Sequence, residues 1–212
     1  MGTKVFLQNS SGQILKNGSG QYLYNALPST YQEVEYIASN GTPYLSTVPA
    51  ANKLFEMDIQ FTSNSSRQLM GISGSSSAYF GNNSGTWEKI GTTGTSYSTL
   101  DRVTLYYDVG NITSQRTNTW LKGATNKYAG SDNNWATASA NNLRIFNLAG
   151  SGYGCSMKLF KLKVYNASGI ALNIFIPCYR KSDSVIGMYD LVNNKFYTNA
   201  GSGAFTKGDN VA

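Results

Sequence analysis

Alternation with a period of two is the feature that most restricts what this chain can fold into. In LFEMDIQF, residues 54–61, Phe55, Met57, Ile59 and Phe61 fall on one side of an extended backbone, and Glu56, Asp58 and Gln60 fall on the other. DRVTLYYD, residues 101–108, sets Val103, Leu105 and Tyr107 against Arg102, Thr104 and Tyr106 in the same way. MKLFKLKVY, residues 157–165, is expected to set Phe160, Leu162 and Val164 against Lys161 and Lys163. Such strands bury one face and leave the other in water, as antiparallel sheets do. No stretch sustains a helical period, and Gly, Ser, Asn and Thr fill the intervals between apolar runs, which is turn chemistry. The pattern predicts an all-β chain built as a two-sheet antiparallel sandwich or jelly roll.

One main domain with a small separate N-terminal β element is expected. Residues 1–26 hold three short strand-like runs, KVFLQ, QILK and QYLYN, divided by NSSG and NGSG turns. A meander this small cannot cover its own apolar face, so it needs the following domain or a neighbouring subunit. Residues 27–212 form the main domain. MGTKVFLQNSSG lacks the apolar core of a secretion signal, and no membrane-length apolar run comes after it, so neither a cleaved leader nor membrane insertion is expected.

The charges point away from nucleic acid. A formal charge of +6 comes from 17 basic residues scattered singly from Lys4 to Lys207, without the dense stripe that tracks a phosphate backbone. Histidine is absent, which removes the usual general base and the Ser-His and Cys-His nucleophile pairs. Cys155 and Cys178 are too few for a disulfide scaffold and too far apart for a zinc site, so two buried thiols are expected and no metal or other cofactor.

Glu56, Asp58 and Gln60 share one face of a strand and are the sharpest catalytic candidates. EMDIQF resembles the strand motif of jelly-roll β-glucanases, in which a nucleophilic Glu, a supporting Asp and an acid/base Glu take those alternate places. The third place here is Gln60, and an amide cannot donate and recover the proton that a retaining glycosidase moves. The row therefore reads as a solvent-facing polar stripe, and no catalytic residue is assigned.

Loops offer a binding signal instead. Trp87 in GNNSGTWEKIGTTG and Trp135 in SDNNWATAS lie in stretches too rich in Gly, Ser and Asn for core strands. A flat indole covers the apolar face of a sugar ring while Asp132, Asn133 and Asn134 bond its hydroxyls, so these five residues form the candidate glycan site. The bland alternative is that each indole folds back to cap the sandwich. SDNNW also offers oxygen ligands for calcium, although loops of this composition are mostly polar turns.

Two separated stretches carry a family resemblance: LPSTYQEVEYIASNGTPYLST, residues 27–47, and FIPCYRKSDSVIGMYDLVNNKFYTNAGSGAFTKG, residues 175–208, with KLFKLKVYNASG just before the second. They resemble the opening and closing signatures of concanavalin A-like, laminin-G-like jelly-roll modules found in phage virion proteins and in surface proteins of gut bacteria. The resemblance implies that the two stretches meet as the first and last strands of one sandwich, with variable loops between about 62 and 156. VIGMYDLVNNKFYTNAG, residues 185–201, then acts as a structural clasp, turning at Asn193-Asn194, rather than as a site built on Tyr189 and Asp190.

The resemblance implies a non-enzymatic bacteriophage virion protein, a head fibre, capsid decoration or tail-fibre subunit assembled in the host cytoplasm. Residues 1–26 would attach it to other capsid or tail proteins and to its own copies, a trimer being favoured, and a lectin-like domain would meet a host cell-surface glycan. A bacterial carbohydrate-binding adhesin and a purely architectural capsid brace are the alternative readings.

Overall fold

The computed structural model describes residues 4–6, 13–14, 16, 18–21, 24–50, 53–64, 67–72, 79–88, 98–109, 116–124, 128–131, 141–147 and 154–212. Among these there is no helix, and every strand pairing is antiparallel.

The chain enters through β1 (Lys4–Phe6), which pairs with β2 (Tyr24–Ala26) in a two-stranded sheet. β3 (Tyr31–Glu33), β4 (Ile37–Asn40), β5 (Leu45–Pro49), β6 (Lys53–Phe61) and β7 (Arg67–Ile72) come next. After them lie β8 (Tyr79–Asn83), β9 (Thr86–Glu88), β10 (Val103–Val109), β11 (Arg116–Leu121), β12 (Tyr128–Ser131) and β13 (Asn142–Ile145). The C-terminal part holds β14 (Ser156–Tyr165), β15 (Ala171–Arg180), β16 (Ile186–Asp190), β17 (Lys195–Thr198) and β18 (Thr206–Lys207).

A large sheet runs β12-β11-β10-β6-β14-β15-β16-β17, with β3, β4 and β18 attached beside it, and a second sheet runs β5-β13-β7-β8-β9. Alternation decides which side chains leave water. Along β6 every second residue is buried, from Phe55 to Phe61, and β10 repeats the pattern from Val103 to Val109. These side chains join Leu45, Leu69, Met70, Leu143 and Ile145 of the second sheet in one apolar cluster. Each large side chain so buried contributes about 1.5–3 kcal/mol.

β15 differs because its IFIPC run, residues 174–178, is apolar on both faces and both are covered. Phe175 enters the main cluster, while Ile174, Ile176 and Cys178 form a second one with Tyr189 and Leu191, closed over by Leu27, Tyr31 and Phe196. On one flank β15 pairs with β14 as far as Phe175 and with β3 from Cys178 onward. Pro177, which has no N–H to give, sits where the ladder changes partner, and its carbonyl accepts from Val34 N at 3.0 Å.

The two resemblance-bearing stretches thus meet. β3 pairs with β15, β18 pairs with β4, and Val34 bridges Asn210. Residues 25–31 lie on the main domain, with Asn25 Nδ2 donating to Leu191 O at 2.6 Å and Leu27 packed on the second cluster.

The clasp is built around Asp190, fully buried at the end of β16. Its carboxylate accepts from Asn173 Nδ2 (2.7 Å), Asn193 Nδ2 (2.7 Å), Val192 N (3.0 Å) and Ile174 N (3.2 Å). Tyr31 packs between Tyr189 and Phe196, each ring centroid 4.9 Å away. Asn194 takes a positive φ of 53° in the turn to β17, a conformation that Asn tolerates. Cys155 and Cys178 are free thiols, both buried.

One expected facing is corrected. Phe160 does not point inward with Leu162 and Val164. Against β6 the register of β14 shifts between Leu159 and Lys161, so Leu159 and Leu162 are buried while Phe160 and Lys161 are both half-exposed. A β-bulge adds one residue to a strand and breaks the strict period of two there.

Candidate functional site

The outer face of β10, β6, β14 and β4 brings together polar and aromatic side chains. Register lines them up in rows: Tyr106, Glu56 and Lys163 in one, Thr104, Asp58 and Lys161 in the next, and Gln60, Lys158 and Ala38 in a third. The Glu56, Asp58 and Gln60 row is therefore on one face, as alternation requires, and each member is engaged by a neighbour.

Glu56 accepts from the Tyr165 hydroxyl at 2.9 Å and pairs with Lys163 Nζ at 3.6 Å. Asp58 receives a two-pronged contact from Arg102, Nε at 3.0 Å and Nη2 at 2.7 Å. Gln60 donates from Nε2 to Leu100 O at 3.1 Å. Burial raises the Tyr165 phenol well above its ordinary range, and the bond to Glu56 adds to the shift. Tyr106 is raised by burial first and then by the Glu56 charge. Burial lowers the Lys161 ammonium, with the Lys163 charge adding to it and Glu56, Asp58 and Glu33 opposing.

Aromatic rings hold the cations on the β4 side of this face. The Arg102 guanidinium lies 3.7 Å from the Phe160 ring centroid, and Lys158 Nζ lies 4.5 Å from that of Tyr36. The Tyr36 and Phe160 rings meet edge to face at 5.3 Å. Gly208 backs the Tyr36 ring so closely that a β-carbon there would stand 2.7 Å from Cε1. Chemically the face offers fixed positive charge beside aromatic surface and partly engaged hydrogen-bonding groups. At the third place of the β6 row stands Gln60, whose amide cannot give and recover a proton as a carboxyl does.

The loop candidates fare unevenly. Trp87 lies on β9, an edge strand rather than a loop, where it is half-buried against the core with its ring 5.4 Å from Phe61. The Gly/Asn-rich stretch before it is a hairpin: β8 turns at Ser84 and Gly85, both at positive φ, and Asn82 Oδ1 accepts from Gly85 N at 2.9 Å. Asp132, Asn133, Asn134 and Trp135, and with them the calcium reading of SDNNW, lie outside the described residues. Among the described residues no three acidic or cysteine side chains gather to hold a metal ion.

Sequence reasoning does not group Tyr36, Lys158, Phe160 and Arg102, because β4, β14 and β10 become neighbours only through long-range pairing. No family model, curated protein or solved structure matches the chain.

Proposed function

We propose that this chain is a non-enzymatic bacteriophage virion subunit, a head fibre, decoration or tail-fibre protein whose jelly-roll sandwich displays a surface for adhesion to host glycans. The observation that carries the adhesive over the hydrolytic reading is the state of the Glu56, Asp58 and Gln60 row: both carboxylates are engaged by cations, and an amide stands where an acid is required.

The assembly part of the proposal rests on the N-terminal element. The exposed large hydrophobic residues among those described are Phe6, Ile14 and Leu100, and two of them lie in the first 26 residues. Phe6 lies on β1 and Ile14 between β1 and β2 in the chain, and exposed apolar side chains in an element too small to stand alone suit docking on a shell protein or on further copies of the chain. Many copies on one particle would turn weak single sites into firm attachment.

Retention of bacterial envelopes by the full chain, immobilised at high density, tests this reading together with an assay for released reducing ends. Adhesion without cleavage is expected. Release of sugar ends overturns the non-enzymatic assignment, and failure to retain any envelope favours a brace between shell proteins.

A further inference from the structure

The ion pairs on the open sheet face consume only half of its cations. Glu56 takes Lys163 and Asp58 takes Arg102, leaving Lys158 and Lys161 with no carboxylate at ion-pair distance among the described residues. Glu33 acts through space on Lys161, and Glu35 acts through space on Arg102. Neither remaining ammonium hangs loose in solvent. Lys158 is held over the Tyr36 ring, and Lys161 is half-buried at the bulge.

We propose that this face binds an anionic sugar polymer, its charge carried by carboxylate or phosphate, through Lys158 and Lys161 beside Tyr36 and Gln60. The inference rests on the adhesive reading above and names the ligand class and its place. Lys158 and Lys161 stand opposite Gln60 and Asp58 across the bulge, positions two residues apart on β6 and so about 7 Å from each other, close enough for neighbouring charges on one polymer to reach both. Gln60, whose Nε2 is spent on Leu100 O, keeps its amide oxygen as an acceptor for a sugar hydroxyl. Aromatic seating of Lys158 lowers the ordering cost of binding, and the partly desolvated setting of Lys161 strengthens its pull on an anion. Among the described residues Lys195 and Lys207 also lie over tyrosine rings, at 4.8 Å and 5.1 Å, but each stands singly along its strand, and a strip as short as this one does not track the regular phosphates of a duplex.

The test measures retention of four polymers on the immobilised full chain: polygalacturonate, a glycerol-phosphate polymer, neutral dextran and duplex DNA. A Lys158→Ala/Lys161→Ala variant and its Lys→Arg counterpart are run beside it, with circular dichroism confirming that each is folded. The expected result is retention of an anionic sugar polymer and not of dextran, weakened about tenfold or more in the alanine variant and by added salt, and largely kept in the arginine variant. Which anionic polymer is held separates the carboxylate from the phosphate source. Equal retention of dextran, indifference to the alanine pair, or tighter retention of DNA overturns the inference. Glycan retention that ignores both lysines leaves the adhesive reading standing, whereas no retention of any sugar polymer removes both.

Discussion

Asn173 donates its side-chain amide to Asp190 Oδ2 across 2.7 Å in a place where both residues are buried, tying β15 to the end of β16. Three further donors complete the carboxylate's shell, so the aspartate closes the C-terminal hairpin as a structural part. Asp190→Ala strands all four donors, two of them backbone N–H groups. It is expected to cost about 2–4 kcal/mol, read as a lowered urea midpoint, and Asp190→Asn, which keeps one oxygen, is expected to cost less.

Gly154 faces the backbone of Gly41 with no room between them, and a β-carbon at position 154 would run into the Gly41 carbonyl. Backbone on both sides leaves no flexible group to give way. Gly154→Ala should destabilise by about 1–3 kcal/mol or more, measured by thermal melting, whereas Gly169→Ala, where a β-carbon meets open space, loses only the cost of its positive φ.

Gln60→Glu restores the acidic residue of the glucanase-like strand motif without restoring the chemistry. Glu56 and Asp58 stay tied to Lys163 and Arg102, and the new carboxylate faces the Leu100 carbonyl instead of donating to it. The variant is expected to release no sugar ends from glucan substrates and to lose about 1 kcal/mol of stability. Measurable hydrolysis would count against the binding-module reading.

Stability should be level near neutrality, where an ordinary histidine would titrate, because the chain has none. It should fall on the alkaline side. Burial raises the Cys178 thiol to about 12, raises the Cys155 thiol as well, and pushes the wholly buried Tyr107 phenol well above its ordinary value. The unfolded chain releases these protons from about pH 9–10 while the folded chain retains them, so the folded state binds more protons and loses stability as pH rises through that window. Burial lowers Lys53 and Lys161, which acts in the opposite sense, but both are partly solvated. Melting temperatures followed from pH 7 to 11 check the direction.

Much of the fold is legible in the sequence because alternation is a local property. The inward set of β6 and the shared face of Glu56, Asp58 and Gln60 come from the period of two alone. Phe160 escapes that period because one extra residue at a bulge reverses the facing of the residues after it, and nothing in FKLK announces the bulge. Trp87 reads as a loop residue because a hairpin turn and a loop share Gly, Asn and Ser, and the difference lies in the pairing of β8 with β9. The cation and aromatic group on the open face is hidden for another reason: Tyr36, Arg102 and Lys158 lie far apart along the chain, and only the placement of β4 and β10 along β14 and β6 joins them.

Assembly through the N-terminal element is tested most directly by the solution mass of the full chain beside a variant lacking residues 1–26, measured by light scattering. An oligomeric full chain and a folded monomeric truncation are the predicted result, with Leu27 and Tyr31 still present to cover the second cluster. Two monomers of equal stability would contradict self-assembly through residues 1–26 and leave the element as packing for its own main domain.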